Sequence, residues 1–139
     1  MQPTRVPVEE YTTQDTVTAH ERMTIDELRT LMDGHRIRHL PVLRGDTVVG
    51  LISERDLRLV AGLTRSEKLQ VQAGDIMAGE PLTVSASAPL DEVALAMSAK
   101  KVGSVIVNGE DGRFLGIFTA TDALNALIEI VRRGARPGP

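Results

Sequence analysis

Two seven-residue stretches, Gly50 to Asp56 (GLISERD) and Gly116 to Asp122 (GIFTATD), hold the side chains of this chain best suited to do chemistry. In each, an apolar run ends on a hydroxyl, Ser53 or Thr119, and a carboxylate, Asp56 or Asp122, follows one helical turn later. If a helix starts there, its unpaired N–H groups and the positive end of its dipole favour an anion, and the hydroxyl adds a hydrogen bond to a phosphate oxygen. The carboxylate can accept two hydrogen bonds from a vicinal diol, as acidic residues do for ribose in other nucleotide folds. A sugar next to a phosphate is therefore legible, and a base is not. The same spacing also builds a plain helix cap, which for one isolated copy is the commoner use. Duplication weighs toward a ligand, as do Gly50 and Gly116, since a glycine inside a strand often marks close approach of a ligand or another backbone.

Basic residues lie near both motifs. The densest run is His35-Arg36-Ile37-Arg38-His39, and Lys100 and Lys101 take the places of His35 and Arg36 in the second copy. These four read either as a phosphate-facing rim or as solvated helix ends, where cations favour the C-terminal dipole. Arg38 is the better phosphate candidate. Arg55 falls in the first turn of a helix, where a cation opposes the dipole, so its placement suggests a compensating anion. Asp56 and Asp122 do not read as an acid–base pair, because such catalysis needs two environments that push the pKa values apart and repeat-related copies share theirs. No nucleophile–base pair or metal constellation is present, so no catalytic residue and no metal ligand is assigned and the chain is not expected to be an enzyme.

The elements that position these groups come from an internal repeat. An offset of 65 superposes Thr18 on Thr83, Asp26-Glu27 on Asp91-Glu92, Met32 on Met97 and Val42 on Val107. Beyond that point the offset is 66 and superposes Gly50 on Gly116, Ser53 on Thr119 and Asp56 on Asp122, so the second copy carries one extra residue near Gly109 to Gly112. Thr24 to Asp33 has a helical stripe at Ile25, Leu28, Leu31 and Met32, a Thr24/Glu27 capping box, and Gly34 as its stop. Ile37 to Leu43 and Thr47 to Ile52 flank Arg44-Gly45-Asp46 and predict a hairpin, with a helix from Glu54. The second copy predicts a helix over Pro89 to Lys101, a hairpin of Val102 to Val107 and Phe114 to Phe118, and a closing helix over Thr121 to Arg133. Short strands near Val17 and near Leu82 to Val84 complete two βαββα units. Met32 and Met97 belong to the core. The closing helix carries an apolar face, Leu124, Leu127, Ile128 and Val131, fitted to the partner repeat or a second chain.

Composition bounds the function. The chain has 139 residues, 42% of them hydrophobic and 25% charged, which is enough for one core-bearing body and too little for a multidomain enzyme. Aromatics are only Tyr11, Phe114 and Phe118, too few for stacking platforms on single-stranded nucleic acid, and the net charge of −3 gives no positive field. Nucleic acid is thus an unexpected partner. There is no cysteine, and His20, His35 and His39 form no metal motif. No apolar stretch approaches the roughly 18 residues of a membrane span and no signal core is visible, so a cytoplasmic protein is expected.

With these residues in view, the chain resembles a tandem pair of CBS domains, the Bateman module. RHLPVL followed by GLISERD, VGSVIV followed by GIFTATD, and the lead-in DIM at Asp75 to Met77 carry the resemblance, which covers about residues 8 to 133. It implies an α+β, α/β-sandwich-like fold in which two βαββα repeats, 8–62 and 75–133, pack as a pseudo-two-fold pair, joined by a linker at 63–74 and followed by a flexible tail at 134–139. It also implies a stand-alone regulatory module that binds an adenine nucleotide (AMP, ADP or ATP) or a related adenosyl ligand in two clefts and signals by a change of conformation. No cofactor acts as a catalyst. Family members pair into flat dimers, so a homodimer and an unknown effector protein are the implied partners. Transferred by matching positions, one cleft uses Ser53, Arg55 and Asp56, with Leu82 and Val102 around the base. The other uses Thr119, Thr121 and Asp122, with Val17 and Ile37 around the base and Arg38 on phosphate. Val105-Ile106 stand where the first copy has Leu40-Pro41, and Gly103 where it has Arg38, so the clefts need not bind alike. The competing class is a ligand-free dimerisation scaffold built on the same folded pair.

Overall fold

In the computed structural model, which describes residues 5–134, Thr24 opens the first helix as its neighbours predict. Its hydroxyl accepts from the Glu27 N–H at 3.2 Å while the Glu27 carboxylate accepts from the Thr24 N–H at 3.2 Å. The helix, α1 (Ile25–His35), buries Ile25, Leu28 and Met32. It does not stop at Gly34. It ends on Arg36 in the left-handed conformation (φ 54°), after which the Ile37 N–H bonds to the Met32 carbonyl at 3.0 Å. That six-residue closure satisfies an orphan carbonyl and drives the next apolar residue, Ile37, back onto the core.

The described residues divide into two compact units, Thr16–Pro81 on one hand and, on the other, residues 5–15 together with 82–134. In the first, β1 (Ala19–His20) runs parallel to β2 (His39–Arg44), which pairs antiparallel with β3 (Thr47–Ser53), which pairs antiparallel with β4 (Ala78–Gly79). Helix α2 (Glu54–Leu59) follows β3 directly. Leu28, Met32, Leu40, Val42, Ile52 and Leu57 are at most 2% exposed and form the core, each contributing about 1.5–3 kcal/mol by leaving water.

The stretch 63–74, expected to be a linker, belongs to this body. It contains α3 (Arg65–Lys68), and α4 (Ala73–Ile76) begins within it. Ala73 is fully buried and its N–H bonds to the Met23 carbonyl at 2.8 Å, while Leu63 and Val71 pack on the core. The polar composition of the stretch hid these few apolar anchors.

The second unit repeats the plan. β5 (Thr83–Ser85) runs parallel to β6 (Ser104–Asn108), which pairs antiparallel with β7 (Phe114–Thr119). Helix α5 (Leu90–Lys100) ends on Lys101 at φ 56°, the counterpart of Arg36, and α6 (Ala120–Gly134) closes the body. In place of β4 the sheet takes a bridge from the N-terminal segment, Thr13 to Ile117, with backbone bonds of 2.9 and 3.0 Å. A 3-10 turn, Val8–Tyr11, stands where α4 stands in the other unit, and Val8 is fully buried as Ala73 is. Each compact unit therefore joins the body of one repeat to a lead-in from the other copy, so residues 8–15, counted with the first repeat in sequence, pack with the second.

Within α6 only Ala126 is buried, and Leu124, Leu127, Ile128, Ile130 and Val131 remain 43–59% exposed. Of the expected tail, Gly134 ends α6 and residues 135–139 lie outside the described residues.

Candidate functional site

β3 and β7 are apolar strands that deliver a hydroxyl at the point where the chain turns into a helix. In the 16–81 unit, Ser53 caps α2. The Asp56 N–H donates to Ser53 Oγ at 3.2 Å, and the Ser53 N–H donates to Asp56 Oδ2 at 2.8 Å. In the other unit, the Asp122 N–H donates to Thr119 Oγ1 at 3.2 Å, and Asp122 Oδ2 accepts from the Thr119 N–H at 2.9 Å and its hydroxyl at 3.1 Å. Both motifs thus make the reciprocal cap that the spacing allowed.

What the cap leaves over differs between the copies. Asp56 spends one carboxylate oxygen on the cap, and among the described residues Oδ1 accepts no hydrogen bond. Asp122 is more heavily engaged, because the Thr13 hydroxyl also lies 3.3 Å from each of its oxygens. One further bond ties each motif to the residue just before the first strand of its hairpin: the Glu54 N–H donates to the Arg38 carbonyl at 2.8 Å, and the Ala120 N–H donates to the Gly103 carbonyl at 2.9 Å.

The expected site residues fall into two groups, one per unit. Val17, Ile37, Arg38, Ser53, Arg55 and Asp56 lie in the 16–81 unit, where Val17 and Ile37 pack on its core and Arg55 is exposed. Arg38 is 83% exposed and reaches Glu54 at 3.8 Å, a loose pair worth little in water. Leu82, Val102, Thr119, Thr121 and Asp122 lie in the other unit. Leu82 packs on its core, while Val102 and Thr121 are exposed. His35, Arg36, Lys100 and Lys101 are exposed around the left-handed helix ends, the solvated-end reading.

The strand glycines have a structural cause. A Cβ on Gly50 would lie 2.3 Å from Met77 Sδ, and one on Gly116 only 2.2 Å from the Thr13 carbonyl oxygen. In both cases the lead-in segment fills the space, through the Met77 side chain at Gly50 and the Thr13 backbone at Gly116, so a neighbouring part of the chain, and not a ligand, is what these glycines admit.

Three residues at the motifs were missed by the sequence reading. His39 is the register partner of Ser53 and Ser104 that of Thr119, an adjacency recoverable from hairpin register. Thr13 is not recoverable, since it meets Asp122 from 109 residues away. Burial holds the His39 imidazole below its ordinary pKa, with Arg38 adding to the effect and the Asp56 carboxylate opposing it. The folded state therefore refuses a proton that the unfolded chain accepts near pH 6.5, and stability falls as pH drops through that value toward the folded pKa. Urea midpoints measured between pH 8 and 5 should show this loss, and a His39→Gln variant should lose less over the same window. Equal slopes would deny His39 the role.

Among the described residues no group of three His, Asp or Glu could hold a metal ion, and no helix is long and apolar enough to cross a membrane.

Comparison with known proteins places relatives beside this geometry. The CBS domain family model matches residues 8–61 and 73–129. A CBS domain-containing protein of Dictyostelium discoideum is 29% identical over 137 residues, covering 91% of this chain and 94% of that protein. The crystal structure of CBSX2 in complex with AMP, a protein of Arabidopsis thaliana, matches with a TM-score of 0.77 at 25% identity, over 91% of this chain and 98% of the other. The CBS domain pair of protein MJ0100, in complex with 5′-methylthioadenosine and S-adenosyl-L-methionine, matches with a TM-score of 0.80 at 25% identity, over 91% and 99%. Other relatives are much longer enzymes: the chain spans 23% of an inosine-5′-monophosphate dehydrogenase of Korarchaeum cryptofilum.

Proposed function

The chain belongs to the CBS domain family as a tandem pair, and from that premise we propose that it is a regulatory module that binds an adenosyl ligand and has no catalytic activity of its own. The observation that carries the reading is the duplicated hydroxyl–carboxylate motif, which keeps acceptor capacity at Asp56 after its helix is capped. Relatives of the same fold hold AMP, or 5′-methylthioadenosine with S-adenosyl-L-methionine, which supports an adenosine-bearing ligand here. In this reading Ser53 and Thr119 bond phosphate or ribose, and Asp56 and Asp122 accept from ribose hydroxyls. Arg38, Arg55 and Thr121 face the ligand's polar end, and Val17, Ile37, Leu82 and Val102 supply apolar contact to the base. The ligand acts by differential affinity for two conformations of the pair, the only way a ligand can shift such an equilibrium.

AMP, ADP, ATP, S-adenosyl-L-methionine and 5′-methylthioadenosine should each be screened by thermal denaturation. At a hundred times its Kd, a ligand that binds only the folded state adds about 2.7 kcal/mol, which raises the melting temperature by several degrees. No shift with any of the five at millimolar concentration overturns the reading in favour of a ligand-free scaffold.

A further inference from the structure

Among the described residues, four that are not glycine adopt the left-handed conformation, and two of them have a local cause. Arg36 and Lys101 end α1 and α5, where the closing bonds from Ile37 and Val102 require that turn. Asp15 and Glu80, both at φ 51°, end no helix. They stand at the two places where the chain passes from one compact unit to the other, Asp15 as the last residue before the 16–81 unit and Glu80 one residue before that unit ends. Each crossing is short. Thr13 bridges to Ile117 in one unit and Ala19 opens β1 in the other, while Gly79 pairs with Gly50 in β3 and Thr83 opens β5. In both cases the left-handed residue lies between a backbone paired in one unit and a backbone paired in the other.

The residue types do not suit a permanent bend. Left-handed backbone is strained for a residue that carries a Cβ, and glycine, which would remove the strain, is at neither position. Glu80 is strained twice, because the proline at position 81 favours extended backbone in the residue before it. Both side chains are exposed, so burial does not offset the cost. Strain of this kind persists only where the surroundings hold it, and it gathers at switch regions.

We propose that Asp15 and Glu80 are the paired pivots of a hinge, on which the 16–81 unit turns as both residues pass from left-handed to extended backbone. Because the chain crosses twice, the two pivots must turn together. Hinges in proteins are built this way, from a few loop or element-terminal residues that absorb a large change of φ and ψ. The device needs no ligand, so it stands or falls apart from the adenosyl reading.

The chain has no cysteine, so Asp46→Cys in the β2–β3 turn and Ser98→Cys in α5, both at exposed positions, can carry nitroxide labels for distance measurement by double electron–electron resonance. An excess of unlabelled chain restricts the reading to distances within one molecule. Three labelled proteins are compared: the native pivots, Asp15→Gly with Glu80→Gly, and Asp15→Val with Glu80→Val. Glycine relieves left-handed backbone and a β-branched residue penalises it, so the two double variants should move the populations in opposite directions. The expected result is two distances whose ratio differs by about fivefold or more between the glycine and valine variants, with hydrogen exchange in both cores unchanged. One distance common to all three proteins overturns the hinge and makes the two residues plain turns. Loss of either core in the valine variant overturns it as well, since the fold itself would then require left-handed backbone at the crossings.

Discussion

Replacing Gly116 with alanine is expected to cost about 3 kcal/mol, at the upper end of what forced overpacking does, whereas the matching Gly50→Ala is expected to cost about 1 kcal/mol. The two sites are equivalent in sequence and unlike in what they touch. At Gly116 the new methyl would meet the Thr13 carbonyl oxygen at 2.2 Å and its carbon at 3.0 Å, all backbone. Relief requires the N-terminal segment to move off β7, which breaks the two bridge bonds between Thr13 and Ile117 and pulls the Thr13 hydroxyl from Asp122. At Gly50 the obstacle is the Met77 side chain, with Sδ at 2.3 Å and Cγ at 2.7 Å, and a flexible thioether can turn away. Denaturant midpoints of the two variants decide the matter. Equal losses, or a larger one at Gly50, would mean that the lead-in does not press on β7 as described.

The same pair of glycines shows where sequence reasoning stops. A strand glycine announces that something comes close, and the sequence could not say whether it was a ligand or a chain. The answer depends on Thr13 and Met77 meeting strands far away in sequence, which no local pattern encodes. Local chemistry was legible. The Thr24 box, the Ser53 and Thr119 caps and the buried stripe of Ile25, Leu28 and Met32 follow from spacing alone. The repeat was legible too, and the backbone repeats with it: among the described residues, the four non-glycine residues at positive φ are Asp15 and Glu80, Arg36 and Lys101, two pairs 65 apart. Even the strand irregularities coincide, at Val42/Leu43 and Val107/Asn108.

Gly34 misled because glycine is tolerated inside a helix when the next turn can bury apolar surface. The closing bond from the Ile37 N–H to Met32 draws Ile37 inward and carries the left-handed residue to Arg36. The same closure in the second copy, from the Val102 N–H to the Met97 carbonyl at 3.1 Å, means that Ile37 and Val102 already have a structural reason to be apolar. Their service to a base would be an added use of residues the helix ends require.

Phe118→Ala is expected to be the most damaging single substitution in the second unit, at about 3–5 kcal/mol, because it removes a whole aromatic ring from a core that cannot collapse around the gap. Phe118 is fully buried among Val8, Val93, Met97, Val105, Val107 and Ala126, in a core whose other buried members are all smaller or more flexible. Val8 makes the prediction specific. It belongs to the N-terminal turn, whose N–H groups at Val8 and Glu9 bond to the carbonyls of Ala88 and Ala86 at 2.8 and 3.1 Å. If that turn is a true member of this core, hydrogen exchange in the variant should accelerate at Val8, Glu9 and Thr13 together with β6 and β7, although at least 91 residues (104 − 13) separate them along the chain. Acceleration confined to β6 and β7, with the N-terminal amides unchanged from the wild type, would show that the lead-in is held by something other than this core. It would also remove the support that keeps the Thr13 hydroxyl against Asp122.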